Sequence, residues 1–170
     1  PICSEDRPES WEGRLSATRF ASLEHVETTG STNVDLVARS GEAADGTVLV
    51  TDYQIAGRGR LGRVWDAPPG ANLLVSVLLR PDWPGERHPL VTASLAVAVV
   101  DALTGLGVST SVKWPNDLVV EEGPAAGKFA GILAEYTSGP PEAVVVGLGL
   151  NLAWPATLND GPAGATSMQA

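Results

Sequence analysis

Arginine is concentrated in one glycine-rich segment of this chain. Residues 54–65, QIAGRGRLGRVW, contain three glycines interspersed with Arg58, Arg60 and Arg63, and they follow neither a helical nor an alternating apolar period. Glycine lets the backbone approach a ligand closely, and a guanidinium offers two parallel donors to a carboxylate or phosphate. The segment therefore predicts a mobile loop that binds an anion, although a solvated basic loop explains this pattern equally well when it is taken alone.

The chain has two lysines, and both stand beside polar residues at the ends of predicted strands. Lys113 opens the segment KWPND at 113–117, which also holds Asn116 and Asp117, and Lys128 precedes an apolar strand. An ammonium group can offset the negative charge that develops on a phosphoryl or carboxylate oxygen. For either lysine alone a surface position at a hairpin is the commoner explanation, and Asp117 could simply cap the turn after the proline.

A second glycine pattern, GLGLN at 147–151, is not followed in sequence by a capped helix, so a dinucleotide site of the Rossmann type is not expected. Glycines within strands mark the close approach of a ligand or of another backbone, which makes Asn151 a candidate contact for adenine or a metal ion. His25 and His88 have no neighbouring cysteine or carboxylate at metal-ligand spacing. We expect both histidines to be structural.

Composition limits the classes of function. The length of 170 residues suits one domain, and the net charge of −9 disfavours a protein that coats nucleic acid. A single cysteine, Cys3, excludes an internal disulfide and a cysteine-based zinc site, and it favours the cytoplasm. The apolar stretch 90–103 is too short for a membrane span and includes Asp101, so no membrane contact is expected.

The elements that must position these residues are mostly strands. A capping box at Thr32 and Asp35 predicts a short helix, and the apolar residues 90–106 predict a second helix that is buried beneath a sheet. This pattern favours an α+β fold in which a mixed β-sheet carries its helices on one face. Residues 1–18 are expected to form an irregular N-terminal segment and residues 19–170 one domain. Strands are predicted over residues 20–27, 47–53, 72–79, 109–113, 117–120, 131–136 and 143–150.

Five segments, taken in order, resemble the biotin protein ligase family. They are STN at 31–33, GRGRLGR at 57–63, KWPND at 113–117, GKFAGIL at 127–133 and GLGLN at 147–151, and the ATS at 165–167 also fits. Five segments in the right order are far more specific than any one of them. The resemblance covers roughly residues 28–167 and implies the monofunctional type, with a fold like the catalytic core of class II aminoacyl-tRNA synthetases.

The resemblance implies a reaction in two steps. The biotin carboxylate attacks the α-phosphorus of Mg-ATP and releases pyrophosphate, and a lysine of a biotin carboxyl carrier domain of acetyl-CoA or acyl-CoA carboxylase then takes biotin from biotinyl-5′-AMP. Lys128 and Arg60 would be catalytic, and Asp117 would accept a proton or orient Lys128. The implied biotin-binding residues are Ser31, Thr32, Asn33, Gln54, Gly57, Arg58, Gly59, Arg60, Lys128 and Gly131. The implied ATP-binding residues are Arg58, Arg60, Arg63, Trp65, Lys113, Asn116, Lys128 and Asn151, and no side chain is assigned as a metal ligand.

The chain departs from the family pattern in places. Leu61 occupies a loop position that is often polar or basic, and Phe129 replaces a commoner aliphatic residue. Relatives continue past the ATS segment into a small SH3-like β-barrel domain, so we expect a catalytic domain without it. The segment before Ser31 is too short for a winged-helix domain, so no DNA partner is expected. The alternatives are a lipoate-type ligase and a biotin-binding fragment that does not turn over ATP.

Overall fold

The computed structural model describes residues 14–123, 125–138, 140–153 and 164–168. The first 13 residues of the expected N-terminal segment lie outside this range, as do Cys3 and most of the chain after residue 153. Within the described residues the fold is a seven-stranded sheet with the strand order β1-β2-β3-β7-β6-β5-β4. The strands are β1 (Leu23–Thr29), β2 (Val48–Gln54), β3 (Asn72–Leu79), β4 (Ser111–Lys113), β5 (Asp117–Val120), β6 (Gly127–Thr137) and β7 (Ala143–Asn151).

The sheet is mixed, as predicted. Strands β1 and β2 pair in parallel, and every other neighbouring pair is antiparallel. All seven predicted strands are present, and β3 and β5 have the predicted bounds. The largest difference is β6, which begins at Gly127 rather than at residue 131, because the Gly/Lys residues ahead of the apolar run pair with β5.

The two helices cover opposite faces of the sheet. In α1 (Thr32–Ala38), Leu36 packs with Val145 of β7, whereas α2 (Leu90–Gly105) packs with Val144 and Val146 of the same strand. Successive side chains of a strand point to opposite faces. The prediction that the helices lie on one face is therefore wrong. The central strands β3 and β7 carry apolar residues on both faces, and each face needs a cover.

Helix α2 is less buried than its composition predicts. Val91 and Leu103 are almost fully buried against the sheet, but Val97 is 56% exposed. The predicted position beneath a sheet is confirmed for one side of the helix, and the other side is exposed because the sheet covers a single side. The stretch Gly85–Gly105 is long and apolar enough, with a mean hydropathy of 1.4, to pass a membrane-span test on composition. In this fold one side of its helix packs on the sheet.

The capping box predicted for α1 does not form. Ser31 is the N-cap residue, with extended backbone and no capping hydrogen bond from its side chain. The Thr32 hydroxyl instead faces Gln54, and the Asp35 carboxylate accepts a hydrogen bond from the Thr29 hydroxyl. The first turn of this helix therefore directs its polar side chains towards the sheet.

Candidate functional site

A cavity of about 320 Å³ lies on the α1 face of the sheet, between the start of α1, the Gly/Arg loop and strands β3, β6 and β7. This volume is at the lower end of the range for small-molecule sites. Most of the predicted site residues, although far apart in sequence, meet here. The lining includes Ser31, Thr32, Asn33, Gln54, Arg58, Gly59, Arg60, Arg63, Trp65, Asn116, Asp117, Lys128 and Gly131.

One end of the cavity is a network of neutral polar side chains. The Thr32 N–H donates to Gln54 Oε1 at 2.9 Å, and the Thr32 hydroxyl lies 3.0 Å from the same oxygen and 2.7 Å from Ser76 Oγ. Ser76 Oγ in turn donates to Asn33 Oδ1 at 2.6 Å. Because Thr32, Asn33 and Ser76 are buried and these groups fix one another, they form a rigid surface suited to a neutral ligand group that both donates and accepts hydrogen bonds.

Asn33 connects this network to the loop through a carboxylate. Its Nδ2 donates to Glu135 Oε2 at 2.9 Å and to the Leu133 carbonyl at 3.2 Å, and Arg58 Nη1 lies 3.7 Å from Glu135 Oε1. A Cβ at position 147 would lie 2.3 Å from Asn33 Oδ1. Gly147 is therefore the residue that lets the Asn33 amide lie flat on the sheet.

The other end of the cavity is cationic. Lys128 Nζ lies 2.8 Å from Asp117 Oδ1 and 5.3 Å from the centroid of the Trp65 ring. Arg60 Nη1 donates to Asn116 Oδ1 at 3.1 Å, which ties the loop to the segment that carries Asp117. The Asp117 carboxylate thus contacts Lys128, while both of its implied roles, orienting that lysine and accepting a proton, stay predictions.

A β-bulge in β6 turns Lys128 into the cavity. Leu118 of β5 pairs with Ala130, but Val119 pairs with Lys128, so Phe129 is an additional residue in β6. Without this bulge, strict alternation would place Lys128 on the face opposite Gly131. The bulge puts the Lys128 side chain beside Gly131 and the Phe129 ring, 1% exposed, into the core under α2.

The floor between the two ends is built from glycines that accommodate an indole ring. Gly131 and Gly149 are paired in register on β6 and β7. A Cβ at Gly149 would lie 2.5 Å from Trp65 Cε2, and one at Gly131 would lie 2.8 Å from Trp65 Cζ3. The Trp65 ring therefore rests on bare backbone, next to the Lys128 ammonium.

The Gly/Arg loop folds back on itself. Arg58 and Val64 form an isolated antiparallel bridge, and the Trp65 N–H donates to the Gly57 carbonyl at 2.9 Å. Leu61, at the tip of the loop, is 89% exposed and has a positive φ of 58°. The departure from the family pattern at this position thus places an apolar side chain in solvent at the mouth of the cavity.

Three predicted site residues are absent from the lining formed by the described part of the chain: Gly57, Lys113 and Asn151. Gly57 shapes the loop, since a Cβ there would lie 2.3 Å from the Trp65 carbonyl oxygen. Lys113 is exposed at the end of β4, and Asn151 is buried at the end of β7. Their assigned ligand roles stay predictions.

Sequence reasoning missed two polar residues of the site, Ser76 and Glu135. Ser76 is the lone hydroxyl in the apolar run of β3, and it is fully buried. Glu135 is the one carboxylate in β6. A polar residue in a central strand needs a hydrogen-bond partner. The presence of Ser76 and of Glu135 in apolar strands could therefore have indicated a polar site. The described residues contain no group of three or more His, Cys, Asp or Glu side chains that could hold a metal ion.

The sequence model of the biotin/lipoate A/B protein ligase family matches residues 24–151. This chain belongs to that family. It is 42% identical over 140 residues to the biotin–[acetyl-CoA-carboxylase] ligase of Mycobacterium tuberculosis, which is 78% of this chain and 50% of that relative. It is 39% identical over 148 residues to the bifunctional ligase/repressor BirA of Escherichia coli, which is 83% of this chain and 43% of that relative. The chain thus spans half or less of the length of these relatives.

Solved structures confirm the fold. The biotin protein ligase of Aquifex aeolicus, in complex with biotin and ATP, superposes with a TM-score of 0.68 and 32% identity, over 88% of this chain and 60% of that chain. The mixed sheet is therefore that of the biotin protein ligases, as the five sequence segments implied.

Proposed function

We propose that this chain carries the catalytic core of an ATP-dependent biotin ligase that forms biotinyl-5′-AMP and then transfers biotin to a lysine of an acceptor protein. The observation that carries the proposal is that one cavity has a neutral hydrogen-bonding surface at one end and a cationic surface at the other. A neutral hydrogen-bonding network around Thr32 and Ser76 lies at one end, and the side chains of Lys128 and Arg60 lie at the other. Biotin has the same polarity, with a neutral ureido ring at one end and a carboxylate at the other.

The first step needs positioning and charge stabilisation rather than a protein nucleophile. A carboxylate oxygen forms a bond to the α-phosphorus, and the bond from that phosphorus to pyrophosphate breaks. The reacting anions repel each other, so cations held close to both lower the barrier. Lys128 and the loop arginines fill this role in a protein whose net charge is −9. Mg²⁺ enters with the phosphates of ATP and neutralises part of their charge.

Trp65 is proposed to lie against adenine. Its ring borders both the glycine floor and Lys128, so a nucleotide stacked on it would have its α-phosphate near the ammonium group. Closure of the loop would exclude water from the mixed anhydride, which otherwise hydrolyses. The bond between Arg60 and Asn116 is the contact through which the loop would stay closed.

In the second step, the acceptor lysine loses a proton and its amine attacks the biotinyl carbonyl, releasing AMP. Asp117, paired with Lys128 at 2.8 Å, is the proposed acceptor of this proton. The acceptor is proposed to be the biotin carboxyl carrier domain of a carboxylase, because the Mycobacterium tuberculosis relative is named as a ligase for acetyl-CoA carboxylase. We propose a cytoplasmic location, without a DNA or membrane partner.

Exchange of labelled pyrophosphate into ATP tests the proposal. With Mg²⁺ present, biotin should support exchange, and lipoate in a parallel tube should not. Exchange with lipoate alone would assign the chain to the lipoate branch of the family. Biotin binding without exchange would overturn the proposal in favour of a biotin-binding module.

A further inference from the structure

The main chain of Lys128 is held by a segment distant in sequence. The Lys128 N–H donates to the Gly164 carbonyl at 2.7 Å, and the Thr166 N–H donates to the Lys128 carbonyl at 2.9 Å. The pairing of β6 with β7 starts at Ala130, beyond the bulge. The segment 164–168, called the strap below, therefore replaces β7 as the partner of β6 where Lys128 enters the cavity.

Asn151 joins the strap to Lys128. Its Nδ2 donates to the Lys128 carbonyl at 3.2 Å and to the Thr166 carbonyl at 2.8 Å. An asparagine amide has two donor hydrogens, and here both are used by main-chain carbonyls. The Asn151 side chain is 3% exposed and faces the strap rather than the cavity lining of the described residues.

We propose that Asn151 is a positioning residue that fixes Lys128 through its main chain. This inference rests on the proposed function, because it assigns the purpose of the contact to the orientation of the Lys128 ammonium. A bulge residue disturbs the ladder around it, and the side chain of Lys128 begins at that disturbance. The strap and the Asn151 amide restore the missing main-chain bonds, so the ammonium group is held at Asp117 and Trp65 before any ligand binds.

The two lysines of the chain allow a direct test. Lysine-selective ¹³C labelling gives one side-chain resonance for Lys128 and one for exposed Lys113, assigned with Lys113→Arg. The Trp65 ring beneath Lys128 should shift the Lys128 ε-protons upfield. In Asn151→Ala this signal should move towards the position of the Lys113 signal, which should itself stay unchanged. This readout does not require activity.

Thr47→Ala is the matched control. Thr47 is also 3% exposed, and its hydroxyl donates to the Ala44 carbonyl at 2.8 Å, outside the cavity lining. The Thr47→Ala substitution thus removes a buried hydrogen bond to a main-chain carbonyl at a place that does not contact Lys128. If Asn151→Ala fails to fold, Asn151→Ser retains one donor and should give an intermediate shift. An unmoved Lys128 signal in a folded Asn151 variant, or an equal movement in Thr47→Ala, would overturn the proposal.

Kinetics provide the second arm. Misplacement of a catalytic group by about 1 Å can lower a rate 10²-fold, so Asn151→Ala should lower kcat for pyrophosphate exchange at least about tenfold. In a Lys128→Ala background the same change should lower kcat by less than about twofold, because residues that act as a unit are not additive. Equal losses in both backgrounds would overturn the proposal, because the effect of Asn151 would then not act through Lys128. Absence of exchange in the unmodified chain would refute the proposed function, while the Lys128 resonance would still decide the placement.

Discussion

Replacing Gly149 with alanine should displace the Trp65 ring from the floor of the cavity. The added Cβ would lie 2.5, 2.7 and 2.8 Å from Trp65 Cε2, Cζ2 and Nε1, all atoms of one rigid ring, whereas ordinary contact begins at 3.4 Å. The ring must therefore retreat by about 1 Å. The sheet cannot yield easily, because Gly149 lies in β7 between β3 and β6.

The effect on activity follows from what Trp65 borders. The ring lies 5.3 Å from Lys128 Nζ and, in the proposed function, against adenine. A displacement of about 1 Å at a catalytic site can lower the rate 10²-fold, so we expect kcat/KM for ATP to fall roughly 10- to 100-fold. Overpacking typically lowers the free energy of unfolding by about 1–3 kcal/mol, so the variant should still fold.

Pyrophosphate exchange at varied ATP concentration measures this effect, and urea unfolding measures stability. Gly41→Ala is the matched control, since its Cβ would have no heavy atom within 4 Å and its φ is not in the left-handed region. Equal kcat/KM values for ATP in the two folded variants would show that the Trp65 position is unimportant, and the reasoning from the glycine floor would be refuted.

Three further changes separate the roles of the loop and of Lys128. Lys128→Ala should lower adenylate formation roughly 10²-fold and biotin affinity only a few-fold, because the charge matters most in the anionic transition state; equal losses in rate and in biotin binding would contradict that role. Arg60→Gly removes the bond to Asn116 and should release biotinyl-5′-AMP several-fold faster, and an unchanged release rate would argue against a closing loop. Leu61→Asn should raise the free energy of unfolding by about 0.5–1 kcal/mol, since asparagine tolerates the left-handed backbone of this exposed position, and a fall in the urea midpoint would count against strain there.

The strands were predictable because each is a local property of the chain. The β-branched and apolar run of β3 appears in the structure with the bounds that the sequence indicates. The placement of the helices was not predictable in the same way. An apolar helix can be buried on one side or on all sides, and the outcome for α2 depends on how much sheet lies beneath it, which is a property of the assembled fold.

In the candidate site, too, some features could be predicted from single segments and others depend on the assembled sheet. Motif order predicts that Lys128 is a cation of the site, but the alternation of side chains counted back from Gly131 would point Lys128 away from the cavity. A single extra residue, Phe129, reverses that direction, and the sequence carries no local sign of it. A segment can therefore single out a candidate residue, whereas the direction of its side chain depends on pairing between segments.

The polar network shows what such pairing adds. Asn33 reaches Glu135 and Leu133 across about a hundred positions of sequence, and it meets Ser76 of another strand. The network exists because α1, β3 and β6 bring these residues together on one face of the sheet. The serine in β3 indicates that a hydrogen-bond partner lies nearby, since an unpaired hydroxyl in a central strand would be unfavourable by about 1–3 kcal/mol. That cost predicts that a partner exists, while only the packing of α1 on the sheet determines that the partners are Thr32 and Asn33.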